Sequence, residues 1–195
     1  PEDPAALHVI GEGLRTAGRR DEAIASYREA LRIDPDFVPA HIGIGAALLD
    51  GERYDEALEA LERGFSPGTD AATAATAHYL AGRTLLGLGR DDEAATHFER
   101  TIERDPDHAE ALDHLALWRF GRREYEQALA LYRAHADLAP DDPTVHANTG
   151  VTLYFLGRRD EALASLERAL ELDPTHDTAR RLAADLRDAA AQGRR

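Results

Sequence analysis

The sequence contains no cysteine, no methionine and no lysine. Without cysteine there are no disulfides, no thiolate nucleophile and no cysteine-ligated zinc. The missing thiols leave the redox compartment open; a cytoplasmic setting is expected, and a periplasmic one is compatible. The chain starts at Pro1 and lacks methionine throughout, which is read as a piece of a longer protein whose targeting segment, if it had one, lies elsewhere. All 23 basic residues are arginine, as a GC-rich coding bias would produce; a salt-rich native environment is the lesser alternative. Long apolar runs are also missing: none approaches the roughly 18 residues of a membrane-spanning helix. Basic charge is scarce, with 37 acidic residues leaving a net charge of −14. Phosphate backbones and anionic lipid surfaces need positive partners, so nucleic-acid binding and membrane attachment are not expected.

What the chain does have is a repeat. Hydrophobic residues make up 43% and charged residues 31%, a balance that folds rather than stays disordered. Ala23, Ala57, Ala94, Ala128 and Ala162 follow one another at gaps of 34, 37, 34 and 34 residues, each inside a similar phrase such as "GRRDEAIASY" or "GRRDEALASL". A period of this length marks stacked helix–turn–helix units that bury a core between neighbours.

With each alanine at position 20 of a 34-residue frame, the units run 4–37, 38–71, 75–108, 109–142 and 143–176, with an irregular insertion at 72–74. Position 8 reads Gly11, Gly45, Gly82, Ala116 and Gly150; position 24 reads Tyr27, Leu61, Phe98, Tyr132 and Leu166. Small residues let two helices approach, and large ones fill the space between them. Position 11 is Leu14, Leu48, Leu85, Arg119 and Leu153, and position 32 is proline except at Thr69. Gly18, Gly51, Gly89, Gly121 and Gly157 are expected to end the first helix of each unit at positive φ. Asp21, Asp55, Asp91 and Asp160 open the second helix, where carboxylates suit the dipole. Asp-Pro at 34–35, 105–106 and 173–174 closes it. Residues 177–191 carry a stripe of Ala179, Leu182, Ala183, Leu186 and Ala190 that predicts a capping helix, and the following Gln-Gly-Arg-Arg is expected to fray.

Two departures stand out. At the second join, "ERGFSPGTDAATAATAHYL" lacks the Asp-Pro; Asp70 is placed to cap a helix starting a turn early, with an irregular turn near 65–70 and a local change of superhelical pitch. In the fourth unit Gly121 comes two positions early and Arg119 replaces a large apolar residue, a deficit that Trp118 is expected to cover.

Over residues 4–176 this pattern resembles the tetratricopeptide repeat (TPR) family. The resemblance implies an all-α, right-handed α-solenoid of five repeats plus a C-terminal capping helix, acting as a protein–protein interaction scaffold. In that family the first helix of each repeat lines the concave groove through positions 2, 5, 9, 12 and 13. Mapped here, that face carries His8, Glu12 and Arg15; Ile42, Ala46, Leu49 and Asp50; Tyr79, Arg83 and Leu86; Glu110, Asp113, Leu117 and Phe120; and Ala147, Val151, Tyr154 and Phe155, with Asn148 beside them. The middle and C-terminal part is apolar, as a binding groove requires; packing of some of these side chains against neighbouring helices is the alternative, an open one for Phe120 and Phe155. Arg83 is expected to pair within the chain, with Asp50 or Asp113, before any partner carboxylate. The family's carboxylate clamp for chaperone tails would need cations and asparagines where this chain has Ala5, His8, Glu12, Gly43, Thr76 and Leu80; Asn148 alone matches, so that ligand is not expected.

Chemistry is not expected either. "GEG" at 11–13 lies in a helix and lacks the Lys-Ser/Thr of a phosphate loop. The serines, Ser26, Ser66 and Ser165, assemble no triad. His41, His78 and His146 share position 4 in separate repeats and are expected to pack rather than bind metal, and His108 and His114 lie off the i, i+4 spacing of a two-histidine metal site. No cofactor is expected. Arg19–Arg20, Arg122–Arg123 and Arg158–Arg159 cluster at one set of turns, and Asp34, Asp36, Asp105, Asp107, Asp141, Asp142 and Asp173 at the other. Opposite edges of opposite sign would favour weak self-association, unless each arginine is neutralised by its local Asp-Glu, the preferred reading. A regulatory or substrate-recruiting arm of a larger enzyme is the remaining alternative.

Overall fold

The computed structural model describes residues 3–65 and 68–192, and those residues form eleven α-helices and one 3₁₀ turn, with no strand among them. Ser66, Pro67 and the Gly-Arg-Arg at the C-terminus lie outside the described residues, and with them part of the expected irregular turn and the fraying tail. The chain divides into two compact units, Pro1–Pro106 and Asp107–Arg195.

The first unit holds α1 (Pro4–Thr16), α2 (Arg20–Ile33), α3 (Val38–Asp50), α4 (Tyr54–Glu62), a 3₁₀ turn (Arg63–Phe65), α5 (Ala71–Gly87) and α6 (Asp91–Arg104). Consecutive helices pack on one another, and α1, α3 and α5 also meet side by side. Tyr27 shows why. It is fully buried, and a Cβ on either Gly11 of α1 or Gly43 of α3 would collide with its ring. Phe98 fills the same role in the α5–α6 pair, 2.6 Å from where a Cβ on Gly82 would sit. Ala23, Ala57 and Ala94 are fully buried at the helix crossings.

The second unit holds α7 (Ala109–Gly121), α8 (Tyr125–Leu138), α9 (Pro143–Phe155), α10 (Arg159–Leu172) and α11 (Asp177–Gln192). A Cβ on Gly150 would sit 2.7 Å from Leu166, and the buried Tyr132 shares a core with Ala116, Ala128 and Val145. Helix α11 packs on α9 and α10 through Ala179, Ala183 and Leu186, with Leu182 half-buried. Ala190 of the expected stripe is exposed: it lies past the end of the surface that α9 and α10 offer.

The buried threonines are satisfied locally. Thr84, Thr101, Thr149 and Thr152 each donate the hydroxyl to the carbonyl four residues back, at 2.7–3.0 Å.

The turn between paired helices is the same in all five places, but glycine does not always make it. Frame position 15 takes positive φ throughout: Gly18 (75°), Glu52 (58°), Gly89 (70°), Arg123 (64°) and Gly157 (76°). The next residue's N–H then donates to the carbonyl of position 11, as in Arg53 to Leu48 and Glu124 to Arg119, both near 3 Å. Gly51 (φ −97°) and Gly121, inside α7, therefore do not supply the left-handed residue, because each precedes the point at which the chain reverses.

Asp21, Asp55, Asp91 and Asp160 lie in the first turn of the second helices, as expected, but the residue that starts each of these helices is not an acidic cap. The N-caps of the second helices are Arg19, Arg53, Arg90, Glu124 and Arg158, none of which caps through its side chain. The four arginines instead fork onto the glutamate three residues on, as Arg19 does onto Glu22 at 2.5 and 2.6 Å. These pairs are exposed and of small energetic weight, but they neutralise the turn. In α7–α8 the arrangement is inverted: Glu124 accepts from Arg119 at 2.6 Å and from Arg122 at 3.4 Å, and both guanidiniums stack 4.9 Å from the Trp118 ring. The two anomalies of this repeat thus answer each other, since the acid at position 16 meets the base at position 11.

The extra residues at 72–74 are regular helix. Asp70 Oδ1 accepts from the Thr73 N–H at 3.0 Å, and α5 runs from Ala71. The irregularity lies just before it, where α4 is only nine residues long and gives way to the 3₁₀ turn. Gly64 permits that turn, since a Cβ there would press Ala77 and Ile42 at 3.0 Å.

Candidate interaction surfaces

Each unit carries its own candidate surface. In the first, a hollow of about 480 Å³ is lined by residues of α1, α3 and α5. Its α1 side is already paired. Glu12 accepts from the Tyr27 hydroxyl at 2.5 Å and from Arg15 at 3.0 Å, while Arg15 donates to Asp50 at 2.9 Å. Burial alone would raise the Glu12 pKa, but the hydrogen bonds from Tyr27 and Arg15, with the Arg15 charge, outweigh it and hold the carboxyl below its usual value.

Asp50 is therefore engaged by Arg15 and not by Arg83, contrary to the expected pairing. Arg83 is exposed and lies 5.8 Å from the centroid of the Tyr79 ring. The half-buried Tyr79 contributes one wall. Ile42 lines the hollow yet is mostly buried against Leu61, Ala77 and Ala81. Leu49 does not reach the groove. It packs in the core with Ile24, Leu48 and Tyr27, because it sits on the flank of α3 that the neighbouring helices cover. Leu86 is at the margin of exposure.

Beneath the same unit lies a feature that the sequence did not announce. His78 Nδ1 and His97 Nδ1 are 3.2 Å apart, one donating to the other, with Phe65 stacked on His78 at 4.4 Å. Position 4 places His78 inward as expected, but His97 comes from the second helix, 19 residues on. Burial, then the charges of His97, Arg104 and Arg100, push His78 down to about 4. His97 is also lowered, by burial and then Arg100. Among the described residues, no group of three or more His, Asp or Glu is placed to hold a metal ion.

In the second unit the first helices of the pairs, α7 and α9, present an apolar strip. Leu117 is 58% exposed, Tyr154 41% and Phe155 53%, with Phe120 and Val151 partly buried beside them. Phe120 and Phe155 are both packed and presented. Their rings meet edge-on at 5.3 Å, and Tyr125 of α8 stacks on Phe155 at 5.3 Å, so a rigid aromatic platform stands behind the exposed surface. At the other end of α7, Asp113 lies 3.8 Å from His135. Asn148 is half-buried on α9, its carbonyl accepting from Thr152.

Models of the tetratricopeptide repeat match residues 14–72, 70–143 and 143–176. The chain belongs to the tetratricopeptide repeat family. It is 29% identical over 169 residues to human anaphase-promoting complex subunit 7, covering 87% of this chain and 29% of that protein. A TPR repeat-containing protein of Pseudomonas aeruginosa is 29% identical over 183 residues, covering 92% and 30%. The mitochondrial ALBINO3-like protein 3 of Arabidopsis thaliana is 26% identical over 181 residues, covering 88% and 27%. The chain thus spans about three tenths of the length of these relatives. Among solved structures, MamA is 26% identical with a TM-score of 0.72, covering 85% of this chain and 95% of that one. YrrB, a TPR protein with an unusual peptide-binding site, is 24% identical with a TM-score of 0.73, covering 91% and 90%; at that identity the likeness concerns the fold. TPR proteins mediate protein–protein interaction, and the fold of this chain is that of a TPR solenoid. No helix among the described residues is long and apolar enough to cross a membrane.

Proposed function

We propose that this chain is a protein-interaction module that holds an apolar segment of a partner protein on the Leu117–Phe120–Val151–Tyr154–Phe155 strip, without catalysing a reaction on it. The observation that carries the reading is the exposure of Leu117 on α7 and of Tyr154 and Phe155 on α9, the latter two held in a ring cluster with Phe120 and Tyr125. Large apolar side chains grouped in this way mark a contact surface, and preset aromatic rings lose little entropy when a partner docks. The net charge of −14 supports a protein partner over a nucleic acid.

The test is selection of binders from a phage-displayed random peptide library, followed by affinity measurement on the selected peptides. Leu117→Asp with Tyr154→Ala should weaken binding at least tenfold while far-ultraviolet circular dichroism stays helical. Unchanged affinity would refute the assignment, and lost helicity would place the two side chains in the core.

A further inference from the structure

The second unit has a second hollow, of about 340 Å³, at the α8–α9 turn end of the face that carries the apolar strip. Its titratable lining is Glu110, Asp113, His114, His135 and Asp142, and no arginine lines it. Two of the carboxylates have partners: Glu110 lies 3.3 Å from His108, and Asp142 accepts from the Thr144 N–H at 2.8 Å as the cap of α9. Asp113 has no ion-pair partner among the described residues but His135, at 3.8 Å, beyond hydrogen-bonding reach.

His135 is the decisive residue. It lines the hollow and is 9% exposed, and its Nδ1 makes no hydrogen bond among the described residues. A buried ring nitrogen left without a partner carries a desolvation penalty of about 1–3 kcal/mol, which a donor entering the hollow would relieve. Burial, then the Asp113 charge, also raise the phenol pKa of the buried Tyr132.

We infer that this hollow receives a basic side chain of the bound partner, an arginine or lysine whose N–H groups bridge the Asp113 carboxylate and His135 Nδ1. The inference rests on the apolar strip being the docking surface. It then specifies the partner: Asp113, Leu117 and Phe120 follow one another along the outer face of α7, about 6 and 10 Å apart from Asp113 at 1.5 Å per residue. In an extended segment, alternate side chains at about 6.6–6.8 Å share a face. The partner would carry a basic residue two positions from its first apolar anchor.

The probe is an array of ten-residue peptides with Leu and Phe two and four positions from a scanned site, in both chain directions. The scanned site holds Arg, Lys, citrulline, Ala or Glu. Arg and Lys peptides should bind tenfold or more tighter than Ala, citrulline and Glu peptides, and Asp113→Asn should erase that preference while leaving the Ala peptide unaffected. Equal binding of Arg and Ala peptides to the unaltered protein overturns the inference, as does a preference that survives Asp113→Asn. Loss of the preference with retained sensitivity to Leu117→Asp/Tyr154→Ala leaves the strip standing alone; peptides that do not bind, or that bind regardless of the strip, overturn both. A melting-temperature rise with zinc that Asp113→Asn abolishes, without any preference for Arg, would assign the hollow to a cation instead and so overturn the inference.

Discussion

Glu52 and Arg123 occupy a backbone conformation that the other three repeats give to glycine, and replacing them isolates the energy of that conformation. Their φ angles of 58° and 64° place Cβ against the following carbonyl, which costs a non-glycine residue about 1–2 kcal/mol. Both side chains are exposed and form no ion pair among the described residues, so trimming them removes no contact. Glycine is the more flexible residue when unfolded, which returns about 0.5–1 kcal/mol of the gain. Glu52→Gly and Arg123→Gly should therefore each stabilise their unit by about 0.5–1 kcal/mol. The reciprocal changes are Gly18→Ala, Gly89→Ala and Gly157→Ala. Nothing lies within 4 Å of a Cβ built at these glycines, so any loss, expected at about 0.5–1 kcal/mol, is backbone strain alone.

Urea titration followed by circular dichroism measures these differences as shifts in midpoint at constant slope. Repeat arrays can unfold in parts, so Glu52 is best compared with Gly18 and Gly89 of its own unit, and Arg123 with Gly157. A neutral Gly89→Ala together with a neutral Glu52→Gly would refute the strain argument. A destabilising Arg123→Gly would show that its side chain contributes what the geometry does not reveal.

Gly82→Ala should lower stability by about 1–3 kcal/mol, because the added methyl meets the buried Phe98 ring at 2.6 Å and the ring has no room to move; an unchanged midpoint would mean that α5 and α6 can separate freely. The His78–His97 pair should make the first unit acid-sensitive. The folded His78 pKa, about 4, lies below the ordinary 6.5, so the unfolded chain binds more protons between those values, and stability present above pH 6.5 is lost as pH falls through that window. Between pH 7.5 and 5.0 the loss should be about 1–2 kcal/mol, and His78→Phe should flatten it; an equal pH slope in both proteins would refute the assignment.

What could be read from the sequence was whatever depends on a single repeat. A small residue at position 8 against a large one at position 24 is a local rule, and Gly82 with Phe98 or Gly150 with Leu166 obey it. The cap at Asp70 was legible for the same reason, being a side chain and an N–H three residues apart. The misreadings come where two segments must be known together. Leu49 has a groove-facing register, yet whether that flank of α3 is open depends on how its neighbours cover it. His97 gave no signal because its partner lies on another helix at a spacing that no motif fixes. Arg119 looked like a defect until Glu124 supplied its counter-charge, since an inverted pair is invisible position by position. The scaffold positions recur because every repeat solves one packing problem, whereas the outward positions vary in character: frame position 9 is Glu12, Ala46, Arg83, Leu117 and Val151, and only the second unit makes it a large apolar residue in both of its repeats. A single repeat read alone does not show which of these outward side chains end up exposed side by side; in the second unit Leu117, Tyr154 and Phe155 do.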